Sequence, residues 1–196
     1  GSHAYSDEGS SSCACNVGYE ASGSGGCGAC VAGKFKDIRS NEACTPCPRG
    51  SYSSAGGATE CTDCPANAIS ETGSTSSAAC VCNAGYSGAN GGTCSACEAG
   101  YYKSLSGAGE CRACVAGKML ATRGATAEGM CLTCEAGTYS SVEGASECVL
   151  CDAGKFGVSS GLSVCTDCDV GSYSTTPGAN SLTACQQCPT GSYSNA

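Results

Sequence analysis

The sequence predicts a small disulfide-rich fold: an elongated tandem array of short β-hairpin-like, cysteine-rich modules with almost no helix. Three observations carry that prediction. Nine Cys-x-x-Cys pairs recur along the 196 residues, at Cys27/Cys30, Cys44/Cys47, Cys61/Cys64, Cys94/Cys97, Cys111/Cys114, Cys131/Cys134, Cys148/Cys151, Cys165/Cys168 and Cys185/Cys188. The step between pairs is 17 residues five times and 20 twice, with one longer interval where Cys80-Val81-Cys82 intrudes. Repetition at a fixed period makes each repeat one supersecondary element that touches mainly its neighbours, which predicts a rod without a central core. Secondly, Leu, Ile, Val and Phe together number only 19, below the level of about a fifth of a chain that burial alone requires. Thirdly, the 22 cysteines exceed the level of roughly 8–10% that marks a disulfide scaffold. One bridge closing about 15 residues stabilises by ~3 kcal/mol in the chain-entropy picture, so a series of them replaces a core.

A larger period overlies the small one. Cys13-Ala14-Cys15 and Cys80-Val81-Cys82 lie 67 residues apart, as do Cys27 and Cys94, Cys30 and Cys97, Cys44 and Cys111, and Cys47 and Cys114; the register then slips by 3, because Cys61 matches Cys131. The expected organisation is a lead over 1–12, a first super-repeat over 13–79, a second over 80–147 and a partial third set over 148–196. Gly1-Ser2-His3 reads as an expression-tag scar, so His3 carries no functional weight and the natural segment is expected to start near Ala4.

Within a repeat the second cysteine opens a Cys-x-x-Gly-x-aromatic pattern: Cys30, Gly33, Phe35; Cys47, Gly50, Tyr52; Cys97, Gly100, Tyr102; Cys134, Gly137, Tyr139; Cys151, Gly154, Phe156; Cys168, Gly171, Tyr173; Cys188, Gly191, Tyr193. The repeat after Cys114 keeps Gly117 but has Met119 in place of the aromatic. The glycine fits a turn that needs positive φ, and the aromatic can lie against a disulfide. Small polar residues and a second glycine follow, as in Ser140-Ser141-Val142-Glu143-Gly144. That is a short strand, a turn and a return. Neither a 3.6-residue period nor a long alternating strand appears, so helix content should be close to nil.

Charge and inventory exclude several function classes. The balance of 9 basic against 17 acidic residues and the lack of a basic stripe argue against nucleic acid as a partner. Scattered acids such as Glu60, Glu110 and Glu147 read as solvated surface charge. No apolar run approaches the ~20 residues needed to cross a bilayer, so no membrane span is expected in this fragment. No Asn-x-Ser/Thr sequon occurs, while Ser and Thr leave O-glycosylation open. The sole histidine lies in the scar, no tryptophan occurs and no phosphate-cradling loop is found, so an enzyme is not expected and no catalytic residue or cofactor is assigned. Disulfides need an oxidising compartment, which places the chain in an extracellular or cell-surface setting.

Two chemical readings of the cysteine pairs compete with the structural one. Neighbouring Cys-x-x-Cys pairs can build zinc sites, but the thiolates would add charge to a chain already at −8 and the gaps between pairs are short for such sites. Cys27-Gly28-Ala29-Cys30 has a thioredoxin-like form without the helix that lowers a thiol's pKa. Asp167 and Asp169 flank Cys168 without calcium-loop spacing. No metal ligand is therefore assigned.

Two stretches, Cys15-Asn16-Val17-Gly18-Tyr19 up to Cys27 and Cys82-Asn83-Ala84-Gly85-Tyr86 up to Cys94, depart from the simple repeat. With Cys61 to Ser70, a Gly73-Ser74 turn and Cys80-Val81-Cys82 before it, the second resembles the cysteine-rich, EGF-like segment of ephrin receptors. The Cys-x-x-Gly-x-Tyr-Ser repeats resemble the ephrin-receptor-like repeats of large extracellular proteins, including those of algae and other protists. They are similar in layout to tumour-necrosis-factor receptor modules. The resemblance spans Cys13 to Tyr193 and implies a fold and a compartment more than a function, since such modules serve as spacers, adhesion surfaces and receptor ectodomains alike.

Two pairings fit the spacing. The serial scheme closes Cys15–Cys27, Cys30–Cys44, Cys47–Cys61, Cys64–Cys80, Cys82–Cys94, Cys97–Cys111, Cys114–Cys131, Cys134–Cys148, Cys151–Cys165 and Cys168–Cys185. The resemblance suggests an interlaced scheme instead, with Cys47–Cys64 crossing Cys61–Cys80, Cys114–Cys134 crossing Cys131–Cys148, and Cys151–Cys168 crossing Cys165–Cys185. From Cys47 to Cys94 the resemblance favours interlacing; elsewhere the two stand level. Both leave Cys13 and Cys188 unpaired, with partners expected in neighbouring repeats of a longer protein.

The expected function is a non-enzymatic structural or adhesive repeat segment of a larger secreted or surface protein, a rod-like spacer of the kind found in a filament or coat. A ligand-binding receptor ectodomain is the alternative, and a metal-binding cysteine scaffold a minor one. Partners are other extracellular proteins or copies of the chain. Contact candidates are Tyr101, the extra aromatic beside Tyr102, and Met119, Leu120, Arg123 and Met130 of the atypical Cys114–Cys131 repeat.

Overall fold

Hairpins of two or three residues per strand follow one another along the chain, because a Cys-x-x-Gly turn and a Cys-x-x-Cys dipeptide leave room for nothing longer. The computed structural model describes residues 3–6, 13–23 and 25–193. Most two-stranded antiparallel pairs set the residues after the turn glycine against the dipeptide inside the next Cys-x-x-Cys: Ser51 and Tyr52 face Asp63 and Thr62, and Thr138 and Tyr139 face Leu150 and Val149. No α-helix occurs among the described residues. Three 3-10 turns, Ser77–Ala79, Glu128–Met130 and Leu182–Ala184, precede Cys80, Cys131 and Cys185. They sit in the loops whose cysteines are 16 or 17 residues apart, and take up the extra residues that make some repeats longer than others.

Ten disulfides close the loops serially: Cys15–Cys27, Cys30–Cys44, Cys47–Cys61, Cys64–Cys80, Cys82–Cys94, Cys97–Cys111, Cys114–Cys131, Cys134–Cys148, Cys151–Cys165 and Cys168–Cys185. The interlaced pairing favoured from Cys47 to Cys94 is corrected by this connectivity. The physical reason lies in the dipeptide. Thr62–Asp63 is a strand, and residues three apart along an extended run face opposite sides, so Cys61 turns to its own loop and Cys64 to the following one. Cys13 and Cys188 are the free cysteines.

The core is made of these bridges. The largest fully buried side chains among the described residues all belong to cysteines, among them Cys30, Cys47, Cys82, Cys134 and Cys151. Apolar clusters are small: Tyr102, Cys114, Leu120, Ala125 and Cys131 form one, and Phe156, Cys168 and Ala179 another, with Ala184 and Cys185 against it. The chain divides into two compact units, the first comprising Gly1–Asn83 with Ser87–Ser95 and Ser106–Ala108, the second Ala84–Tyr86, Ala96–Leu105 and Gly109–Ala196.

Within each unit one set of main-chain bonds joins successive loops. The turn glycine donates its N–H to a carbonyl of the next loop: in the first unit Gly18 to Lys36 at 2.8 Å and Gly33 to Ser53 at 2.8 Å, in the second Gly100 to Leu120 at 2.7 Å and Gly117 to Ser140 at 2.9 Å. The same glycine accepts the N–H of the cysteine that opens the next loop, as Gly18 does from Cys30 and Gly137 from Cys151. A second glycine then donates back to the opening cysteine of the preceding loop, Gly57 to Cys30 and Gly144 to Cys114, each at 2.8 Å. Backbone atoms carry the whole set, so the register is indifferent to the side chains between.

Candidate functional site

The ladder creates a column of enclosed positions. In the described loops opened by the second cysteine of a Cys-x-x-Cys pair, the residue six places on is buried whatever its chemistry: Lys36, Ser53 and Ser70 in the first unit, Lys103, Leu120, Ser140, Gly157 and Ser174 in the second. Burial there is imposed by backbone pairing, since Lys36, Lys103 and Leu120 donate their N–H groups to Ala58, Ala125 and Ala145. Polar occupants must therefore find partners. Ser70 Oγ donates to the Ser51 carbonyl at 2.8 Å. The Lys36 ammonium, on a residue only 4% exposed, donates to the carbonyls of Tyr19 at 2.8 Å, Glu42 at 3.0 Å and Ser40. Lys103 Nζ donates to the Tyr86 carbonyl at 2.8 Å, and burial lowers its pKa from the usual 10.5. The sequence reading missed both lysines. Their signal was available, because Lys36 and Lys103 stand 67 residues apart at the super-repeat period.

The contact candidates from the Cys114–Cys131 repeat separate by that same geometry. Leu120 is only 3% exposed and packs with Tyr102 and Ala125. Its candidacy for partner contact is corrected: it occupies the buried column. Met119 lies half-buried opposite Leu132 in the Lys118–Met119 hairpin, and Leu132 is 57% exposed. Met130 is exposed on the 3-10 turn that precedes Cys131. Arg123 forms an exposed ion pair with Glu98. Tyr101 is 37% exposed and lies against Gly144, where a Cβ would meet its ring at 2.7 Å. Leu132, which the sequence did not single out, joins Met119 and Met130 on this repeat.

Asp167 pairs with Lys155 across a hairpin, and that hydrogen bond with the carboxylate raises the lysine's pKa. Among the described residues no group of three or more His, Cys, Asp or Glu could hold a metal ion. The bridges consume the thiols that a zinc site would need. No helix among the described residues is long and apolar enough to cross a membrane.

A tandem, disulfide-cored array joined by backbone bonds is a cysteine-rich repeat scaffold. Residues 33–80 and 85–131 match the family model described as tyrosine-protein kinase ephrin type A/B receptor-like. These two stretches are ephrin-receptor-like cysteine-rich repeats, a domain type that is not catalytic. No curated protein matches the chain. The repeats and the density of bridges are consistent with an extracellular location and with a receptor-like or structural segment.

Proposed function

We propose that the chain is a non-enzymatic structural and adhesive segment of an extracellular protein, a stapled spacer whose loops present repeated contacts to other proteins or to further copies. The observation that carries this reading is the side-chain-independent ladder. Because Gly18, Gly33, Gly100 and Gly117 join loops through main-chain atoms alone, the outward residues are free to vary while the spacing between loops is kept. Ten bridges resist unfolding and proteolysis without a large apolar core.

The test is bead aggregation. Beads coated with the chain should clump with one another, and beads coated with chain whose bridges have been reduced and alkylated should not. Beads that stay dispersed while the chain saturably binds one discrete protein would overturn adhesion in favour of a receptor ectodomain. Met119, Met130 and Leu132 are the residues on which that second reading rests, being apolar, at least partly exposed and carried by one repeat.

A further inference from the structure

The main-chain ladder breaks at the loop that Cys64 opens. Gly57, Gly73, Gly124 and Gly178, each in the following loop, donate their N–H groups to the carbonyls of the opening cysteines Cys30, Cys47, Cys97 and Cys151. Gly91 holds that place after Cys64, but it donates to Cys80 at 2.8 Å, and the Cys64 carbonyl accepts no main-chain N–H. Two further bonds are missing at the same joint. Gly33 and Gly50 donate to Ser53 and Ser70, and Lys36 and Ser53 to Ala58 and Ser74. Asn67 and Ser70, their counterparts in the Cys64–Cys80 loop, donate no N–H to the next loop.

The cause is a spacing of one residue. Val81–Cys82 is a strand, and along an extended run residues two apart face the same side, whereas residues three apart face opposite sides. Cys82 therefore faces as Cys80 does, and the loop it opens brings Gly91 to Cys80 instead of Cys64. Nothing then covers Cys64. It is half-buried, while every other bridge-opening cysteine is buried, and so is its partner Cys80. Cys61, Cys111 and Cys148 are half-buried too, but their partners Cys47, Cys97 and Cys134 accept the N–H groups of Gly73, Gly124 and Gly161.

We propose that the Cys64–Cys80 bridge is a redox-cleavable site, opened by a dithiol reductant while the bridges on either side stay closed. Access and local opening coincide there: the sulfur at Cys64 belongs to the less covered residue, and three absent main-chain bonds lower the cost of opening its loop. One thiolate of the dithiol attacks the Cys64 sulfur, the bond to Cys80 breaks, and the Cys80 thiolate leaves and takes a proton. The second thiol of the reductant attacks its own sulfur in the mixed disulfide and releases Cys64, which is protonated in turn. The protein gains two electrons and two protons, and the dithiol becomes a disulfide. Opening frees the exposed stretch from Thr75 to Ala78 from its anchor at Cys80, so one loop loosens within an array that is otherwise stapled. The inference goes beyond the structural and adhesive reading and holds equally for a receptor ectodomain.

The test uses the native chain with Cys13 and Cys188 blocked by alkylation beforehand. Graded dithiothreitol is followed by trapping with an isotopically distinct alkylating reagent and mass spectrometry of the peptides. Cys64 and Cys80 should take the label together, at a rate about tenfold or more above that of any bridge whose opening cysteine accepts a glycine N–H, the factor that the missing bonds supply. Hydrogen exchange before any reduction checks the cause: the Asn67 amide, corrected for its intrinsic rate, should exchange about tenfold or more faster than the Gly50 amide. Labelling that starts at Cys47–Cys61 or Cys97–Cys111, equal rates for all these bridges, or equal protection of Asn67 and Gly50 would overturn the proposal.

Discussion

Gly137 backs directly onto Gly178: a Cβ on Gly137 would stand 3.0 Å from the Gly178 carbonyl carbon and closer still to its oxygen. Gly154 has a similar φ, +82° against +86°, but a Cβ there meets nothing within 4 Å. Gly154→Ala therefore bears only the left-handed backbone cost of about 1–2 kcal/mol. Gly137→Ala bears that and must also displace a backbone two loops away, a further ~2 kcal/mol on the scale of overpacking. Calorimetry of both variants should show the lower midpoint for Gly137→Ala. Equal losses would mean that the close approach contributes nothing.

Asn67 holds the turn position that glycine holds in the other repeats, and is the one described non-glycine residue with positive φ, at 61°. Asparagine tolerates that conformation better than alanine does. Asn67→Ala should destabilise by about 1 kcal/mol, whereas Asn67→Gly should stay within about 0.5 kcal/mol, since relief of the dihedral offsets glycine's entropy. Thermal midpoints in the reverse order would show that the Asn67 side chain acts by contacts rather than by conformation.

Burial lowers the pKa of Lys103 from 10.5. Between the folded and unfolded values the unfolded chain binds more protons, so stability should rise with pH as the window below 10.5 is crossed. The expected result is a stability rise approaching that pH in the native chain and a smaller one in Lys103→Met. The measurement is denaturant unfolding with Cys13 and Cys188 alkylated against thiol exchange. Parallel pH profiles for the two proteins would contradict the burial argument.

Much of the architecture was legible before the coordinates. The Cys-x-x-Cys spacing and the glycine three residues later announce a repeated hairpin, because turn chemistry is written in single residues. Two things were not legible. From Cys47 to Cys94 the resemblance favoured interlacing over the serial scheme, while the facing of Cys61 and Cys64 depends on Thr62–Asp63 being extended. Leu120 read as a surface oddity because its equivalents are lysine and serine. In fact Lys36, Ser53, Lys103 and Leu120 share one backbone-enclosed position, and no hydropathy pattern marks a position that accepts both a leucine and an ammonium.

The serial closure of the loops is what the ladder, the buried column and the free pair Cys13 and Cys188 all depend on. Proteolysis of the native, alkylated chain followed by mass spectrometry of the bridged peptides tests it most directly. The account predicts Cys47–Cys61 and Cys64–Cys80, with alkyl groups on Cys13 and Cys188 alone. Peptides bridging Cys47 to Cys64 and Cys61 to Cys80 would contradict it.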